Sequence, residues 1–308
     1  MQDINQKNCS QAIFFGNGLN RLHGGIDWDK LLQEVSKANK KSNIKTNTML
    51  YESIYLDKDI LPVGISTPFQ KTTEYCLKKD IANKLEKQQK TNKIYKRLVN
   101  LPVTEYITTN YDHSLELALC EEGFEKDENC DTSENKYSIH RYRQYHKGNE
   151  KKRIWYIHGD IDKPVSIMLG YDHYCGCLSK IVGYIKGTYT NKVASNKVRA
   201  INKRLEEYPF EIVSWIDLFF THDIHFVGYG LDFAEIDIWW LLTKRTRMMR
   251  EHKINLKNDI IYHCCDENPE LDDTLKAFGV TRSYDEIAAK LEKNEKYEPH
   301  YCNVLNKL

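Results

Sequence analysis

Residues 107–116 read ITTNYDHSLE. A β-prone run, with Val103, Tyr106 and Ile107, stops on Thr108, Thr109, Asn110, Tyr111 and Asp112. A helical pattern starts at once, with Leu115, Ala118 and Leu119 on one face. Amide, hydroxyl and carboxylate groups are expensive to bury without partners. Either they cap the following helix or they face something that is not protein. Capping accounts for one such residue and leaves the rest of the cluster unexplained.

The same pattern recurs outward from this stretch. Short apolar runs at 12–16 (AIFFG), 153–159 (RIWYIHG), 223–230 (DIHFVGYG) and 259–265 (DIIYHCC) read as strands. Helical periodicity lies between several of them, as at 26–35, 80–100 and 233–251. Apolar strands alternating with helices predict an α/β fold built on a doubly wound parallel sheet. Ligands bind such sheets at the strands' C-terminal ends, where the polar residues fall here. The pattern predicts one domain over 1–308, with helical insertions at about 36–98 and 171–215. It also predicts an irregular charged excursion at 121–150 and a terminal helix over 283–297.

Composition narrows the function classes. Lys and Arg number 45 against 44 Asp and Glu, so net charge gives no reason to expect a nucleic-acid or membrane partner. The basic, tyrosine-bearing stretch 136–153 has rings that could stack on single-stranded bases, but it carries no module signature. A solvated loop or a subunit contact is the plainer reading. There is no leader-like start and no apolar run of the ~20 residues that a spanning helix needs. The nine cysteines include no C-x-x-C pair, so reduced thiols in a cytoplasmic setting are expected, with no zinc.

Three strand ends could carry chemistry. Gly16 and Gly18 let backbone approach a phosphate, although Arg21 stands where a dinucleotide fingerprint has its third glycine. His158, before Gly159, ends an apolar strand and suits proton transfer near neutrality. Gly228 and Gly230 end another strand, followed by Asp232 and Asp237. Two Gly-rich strand ends fit a dinucleotide better than a mononucleotide. Trp239 and Trp240 read as core.

Taken in order, these segments resemble the sirtuin-like family, and within it the bacterial branch of NAD-consuming antiphage proteins. The likeness runs over roughly residues 12–270. It is carried by FFGNGLN (14–20) with IDWDKLL (26–32), by TTNYD (108–112), by the His-Gly at 158–159 and, loosely, by VGYGLDFAEID (227–237). The resemblance implies a Rossmann-like, sirtuin-type fold. This chain departs from deacylating sirtuins in lacking their four-cysteine zinc module and in having Thr109 where they carry Gln. Asn20 stands where the family has Ser.

The resemblance implies roles as follows. Asn110, His158 and Asp112 would be catalytic: Asn110 orienting a water or ribose hydroxyl, His158 acting as base, Asp112 holding the nicotinamide amide. Gly16, Asn17, Gly18, Asn20 and Thr109 would bind the nucleotide, the glycines and Asn20 at its pyrophosphate. Gly228, Gly230 and Leu231 would line the adenosine side, with Asp266 as a ribose ligand. The expected activity is NAD+ glycohydrolysis by an abortive-infection effector, with NAD as substrate. Activation is expected to come from homo-oligomerisation or a separate chain such as a partner ATPase or other defence subunit. Nucleic acid is not required for catalysis. The alternatives are an NAD-dependent protein deacylase and a non-catalytic nucleotide-binding subunit.

Overall fold

The computed structural model describes residues 9–22, 24–35, 46–56, 73–128, 134–190 and 198–308. Eight strands form one sheet: β1 (Gln11–Phe15), β2 (Glu105–Thr108), β3 (Glu125–Lys126), β4 (Tyr142–Lys147), β5 (Glu150–Tyr156), β6 (Asp223–Val227), β7 (Ile260–Cys264) and β8 (Thr281–Tyr284). Their order across the sheet is β3-β4-β5-β2-β1-β6-β7-β8. All neighbours from β5 to β8 run parallel, while β4 pairs antiparallel with both β3 and β5. After β1 the chain winds outward to one side through β2 and β5, then returns to β6 on the other. The switch point therefore lies between the C-terminal ends of β1 and β6, where open α/β sheets bind ligands.

The inner strands are apolar on both sides because helices cover both faces. Ala12, Phe14, Ile107, Trp155, Ile224 and Phe226 belong to one core cluster. Ile13, Phe15, Tyr106, Ile154, Tyr156 and Val227 alternate with them into a second. The register pairs Phe15 with Thr108 and Val227, and Thr108 with Tyr156. Four strands thus end level, and the residues that follow them share one edge of the sheet.

A third cluster sits at that edge. Helices Trp28–Val35, Asn47–Tyr55 and Thr73–Gln88 pack through Leu31, Leu50, Ile81 and Leu85, and meet the sheet through Tyr111, Ile167 and Leu169. Parts of the expected 36–98 insertion, 36–45 and 57–72, lie outside the described residues. In the 171–215 region, helix Tyr171–Lys186 packs on helix Ile236–Glu251. No helix among the described residues is long and apolar enough to cross a membrane.

Two expectations change. Most of the basic stretch 136–153 is not a loop: β4 and β5 form a hairpin turning at Gly148, whose φ is +58°. Its polarity hid the strand pattern, because Tyr145 is buried while Arg143 is held by Glu116, Asp160 and Asp162. The terminal helix is Tyr297–Leu305, not 283–297. Ser283 and Tyr284 are taken into β8 by pairing with His263 and Cys264. Ile287 and Leu291 are left exposed around a single 3-10 turn, whereas Tyr301, Val304 and Leu305 find buried positions.

Candidate active site

The turn after β1 is held by the loop after β6. Gly16 N–H donates to Val227 O (3.4 Å) and Gly18 N–H to Gly228 O (2.9 Å). A Cβ at Gly18 would lie 2.6 Å from Gly228 O, and one at Gly16 2.9 Å from the same atom. These glycines therefore let two strand-end loops touch. The short helix Gly18–Arg21 begins here and aims the Asn20 side chain across the sheet edge. Asn20 Nδ2 donates to Asp112 Oδ2 (2.8 Å) and to Asn17 Oδ1 (3.2 Å), and Asn20 Oδ1 accepts from the Tyr95 hydroxyl (2.6 Å). Asn17 Nδ2 in turn donates to Ile26 O (3.1 Å).

The TTNYD cluster divides its work. Thr108 Oγ1 donates to Phe15 O (3.1 Å) and accepts from Asn110 N–H (3.0 Å), tying β2 to β1. Asp112 Oδ1 accepts from Ser114 N–H (2.9 Å) at the start of helix Ser114–Glu121, so capping takes one oxygen while Asn20 takes the other. The Tyr111 hydroxyl donates to Met168 O, and its ring meets Trp28 edge-on with centroids 5.0 Å apart. Thr109 is half-buried beside them. Asn110 is 3% exposed, and its Nδ2 meets no partner of hydrogen-bonding geometry among the described residues, although the side chain lies within electrostatic reach of Tyr95. A buried amide left without a bond is uncommon in folded proteins and marks a place where a ligand or water is expected.

A cleft of about 400 Å³ opens here, lined by Asn17, Asn20, Ile26, Asn92, Asp112 and Ser114. A neighbouring space of about 200 Å³ adds Trp28, Leu31 and Tyr111 to the shared Asn17, Ile26 and Asp112. Burial first, and then the Asp112 charge, push the Tyr95 phenol well above its usual pKa, so it stays neutral behind Asn20, a residue that lines the cleft.

His158 lines neither of these two spaces. It lies two residues past the pairing of Thr108 with Tyr156, as Asn110 does on the next strand, so the two leave the sheet side by side. It is 2% exposed, and its Nε2 is 2.9 Å from Asp237 Oδ2, which lies in the first turn of helix Ile236–Glu251. Burial works against a charged imidazole, but the Asp237 carboxylate, by charge and by hydrogen bond, outweighs it and raises the His158 pKa. Gly159 at φ +103° is required by the turn: a Cβ there would lie 2.4 Å from Ser166 O.

In the loop after β6, Gly228 (φ +62°) and Leu231 (φ +46°) both adopt left-handed backbone, Leu231 is buried, and Gly230 borders open space. Asp266 is not joined to the cleft residues. It follows β7, one strand beyond β6, and accepts from Lys296 Nζ and the Tyr297 hydroxyl (2.9 Å). One group among the described residues, His113, Asp160 and Asp162, has metal-ligand proximity, but Arg143 bridges the two carboxylates.

Sequence reasoning missed Tyr95, Asn92 and Glu235. Asn92 caps helix Lys93–Val99 and donates to Leu19 O (3.1 Å), fixing the turn from below. Its position ahead of an apolar-periodic run was a readable cap signal. Tyr95 looked like one more position of a helical stripe. Asp237 was visible as the last letter of the fourth motif, but its pairing with His158 was not.

Comparison with known proteins follows the same lines. The family model described as SIR2-like domain matches residues 104–281, more than half of the chain. Among curated proteins, the chain is similar to the NAD(+) hydrolase ThsA of Bacillus cereus (strain MSX-D12), 25% identical over 57% of this chain and 33% of that protein. It is similar to the protein of the same name from Cytobacillus dafuensis, 23% identical over 53% of this chain and 29% of the relative. For the one from Acinetobacter baumannii (strain 532279) the identity is 24% over 53% and 30%. The chain thus spans about a third of the length of these relatives. With its mostly parallel sheet and strand-end motifs, the chain belongs to the SIR2-like domain family.

Proposed function

We propose that this chain is an NAD+ glycohydrolase, releasing nicotinamide and ADP-ribose. The observation that carries the reading is the buried Asn110 side chain, whose Nδ2 meets no partner of hydrogen-bonding geometry among the described residues, on the strand end beside His158–Asp237 and next to the cleft lined by Asn20 and Asp112. The names of the relatives support the same substrate.

In NAD the nicotinamide is already a cationic leaving group and departs neutral, so no general acid is needed. The protein must hold the carboxamide, favour an oxocarbenium-like ribose and supply water. Asp112 lines the cleft and holds the carboxamide through its carboxylate, kept in place by Asn20 and the Ser114 amide. Asn110 bonds a ribose hydroxyl or the attacking water. Asp237 commits one ring nitrogen of His158, leaving the other to take the proton. Gly16, Asn17, Gly18, Asn20 and Thr109 make the nucleotide's near wall, and Gly228, Gly230 and Leu231 its far wall. Asp266 reaches the adenosine ribose only by giving up Lys296 or Tyr297.

The test is nicotinamide release from NAD by the purified chain. Asn110→Ala and His158→Ala should each lower turnover by roughly a hundredfold or more. Wild-type rates in both would sink the assignment. Dependence of release on an acyl-lysine peptide would move the reading to a deacylase. We further propose that the chain works in the cytoplasm as an oligomeric abortive-infection effector, alone or with a partner subunit, and that residues 1–308 form one catalytic domain. Expression with its trigger should then empty the cell of NAD, and His158→Ala should abolish that loss.

A further inference from the structure

The segment that supplies Asp237 also brings a second carboxyl to His158. Glu235 stands two residues earlier, at the entry to helix Ile236–Glu251, yet its side chain makes no helix-capping bond. Its Oε2 is shielded from solvent and meets no hydrogen-bond partner among the described residues. The same holds for Asp237 Oδ1, whose Oδ2 is bonded to His158. Asp237 is thus bonded to the imidazole and Glu235 lies within electrostatic reach of it, each with a shielded oxygen that has no partner among the described residues.

The titratable groups around Glu235 come from four segments: Tyr111 after β2, His158 after β5, Tyr174 on helix Tyr171–Lys186, and Asp237 on Glu235's own helix. Cys177, on the helix of Tyr174, lies within reach of Asp237. Burial first of all keeps the phenols of Tyr111 and Tyr174 and the thiol of Cys177 protonated. If all three remaining groups ionised, the cluster would hold two negative charges against one positive. A proton on Glu235 removes that excess.

We propose that Glu235 is a positioning residue of this site, a second carboxyl that controls how tightly the His158–Asp237 pair holds its proton. Burial first pushes Glu235 up to about 8, against the opposing charge of His158 and with the help of Asp237. The carboxyl is therefore neutral near pH 7. Its ionisation above that range adds negative charge beside the imidazole and raises its proton affinity, so a larger share of His158 stays protonated and fewer copies are free to take a proton from a substrate. The chemical meaning of this control rests on the NAD-cleaving reading; the coupling itself does not.

The test follows the ring-nitrogen resonances of ¹⁵N-histidine-labelled protein from pH 5 to 10, with the His158 signal assigned by its loss in His158→Gln. In the wild type that signal should move in two steps, the second near pH 8. In Glu235→Gln only one step should remain. The pH profile of kcat for nicotinamide release should lose its inflection near pH 8 in the same variant, with KM for NAD changed by no more than about twofold. A wild-type His158 signal without a step near pH 8 overturns the proposal, and this measurement needs no variant to fold. So does a two-step signal that persists in Glu235→Gln. A wild type that shows the second step but leaves NAD intact supports the coupling and fails the proposed activity.

Discussion

Asp237 is the residue on which His158 depends, because it supplies the only hydrogen bond and the nearest countercharge found for the imidazole among the described residues. Asp237→Asn should lower the His158 pKa, since the raised value comes from that carboxylate. The sign for stability follows. A histidine raised in the fold stabilises it below its unfolded pKa, and that contribution fades as pH climbs through the folded value. Breaking a buried pair of this kind typically destabilises by roughly 3 kcal/mol, which urea denaturation of wild type and Asp237→Asn at pH 6 would read. Gly18 and Gly230 make a second pair of expectations. Gly18→Ala would push a methyl to 2.6 Å from the Gly228 carbonyl, so a loss of about 1–3 kcal/mol is expected. Gly230→Ala meets nothing within 4 Å and should change the melting temperature little.

At the scale of elements, the parallel strands were legible because helices bury both their faces, which forces near-continuous apolar runs such as AIFF. The edge elements were not. β4 has only Tyr145 fully buried and otherwise spends polar residues on ion pairs, so its alternation is blurred. β8 reads as TRSY, with no apolar signal, and is defined by pairing with β7 alone. Of the site, Asn110, Asp112 and His158 stood out because each is a polar residue directly after an apolar strand. Tyr95 and Glu235 could not, since what makes them matter lies 75 residues from Tyr95 at Asn20, and in the turn after β5, at His158, for Glu235. The bond from Tyr95 to Asn20 gives this scale its own test. Tyr95→Phe should leave the buried helix Lys93–Val99 in place and release Asn20, weakening NAD binding in calorimetry by about fivefold, the worth of one hydrogen bond.

The whole molecule carries several histidines that the fold keeps neutral. His222 is lowered to about 4, by burial first and then by the Arg153 charge. His263 is lowered to about 3, by burial and then by His225, His300 and Lys307. Groups depressed in the fold bind protons more readily when unfolded. Their stabilisation is complete above about pH 6.5 and is lost as pH falls toward 4 and then 3. Glu235 works from the other flank: with its folded value raised from 4.5 to about 8, stability declines between those limits as pH rises. Melting temperature should rise from acid pH as the histidines lose their protons and decline toward pH 8, and Glu235→Gln should remove that decline and steepen the rise between about pH 4.5 and 6.5.

The contact between the turn after β1 and the loop after β6 has a consequence for how anything enters. The Gly18 amide proton already belongs to the Gly228 carbonyl. An incoming phosphate that claims this donor competes with the chain's own oxygen, so the resting protein behaves as though partly occupied by itself. Under the proposed nucleotide role, the Gly18 donor would become available to such a guest only as those two loops part.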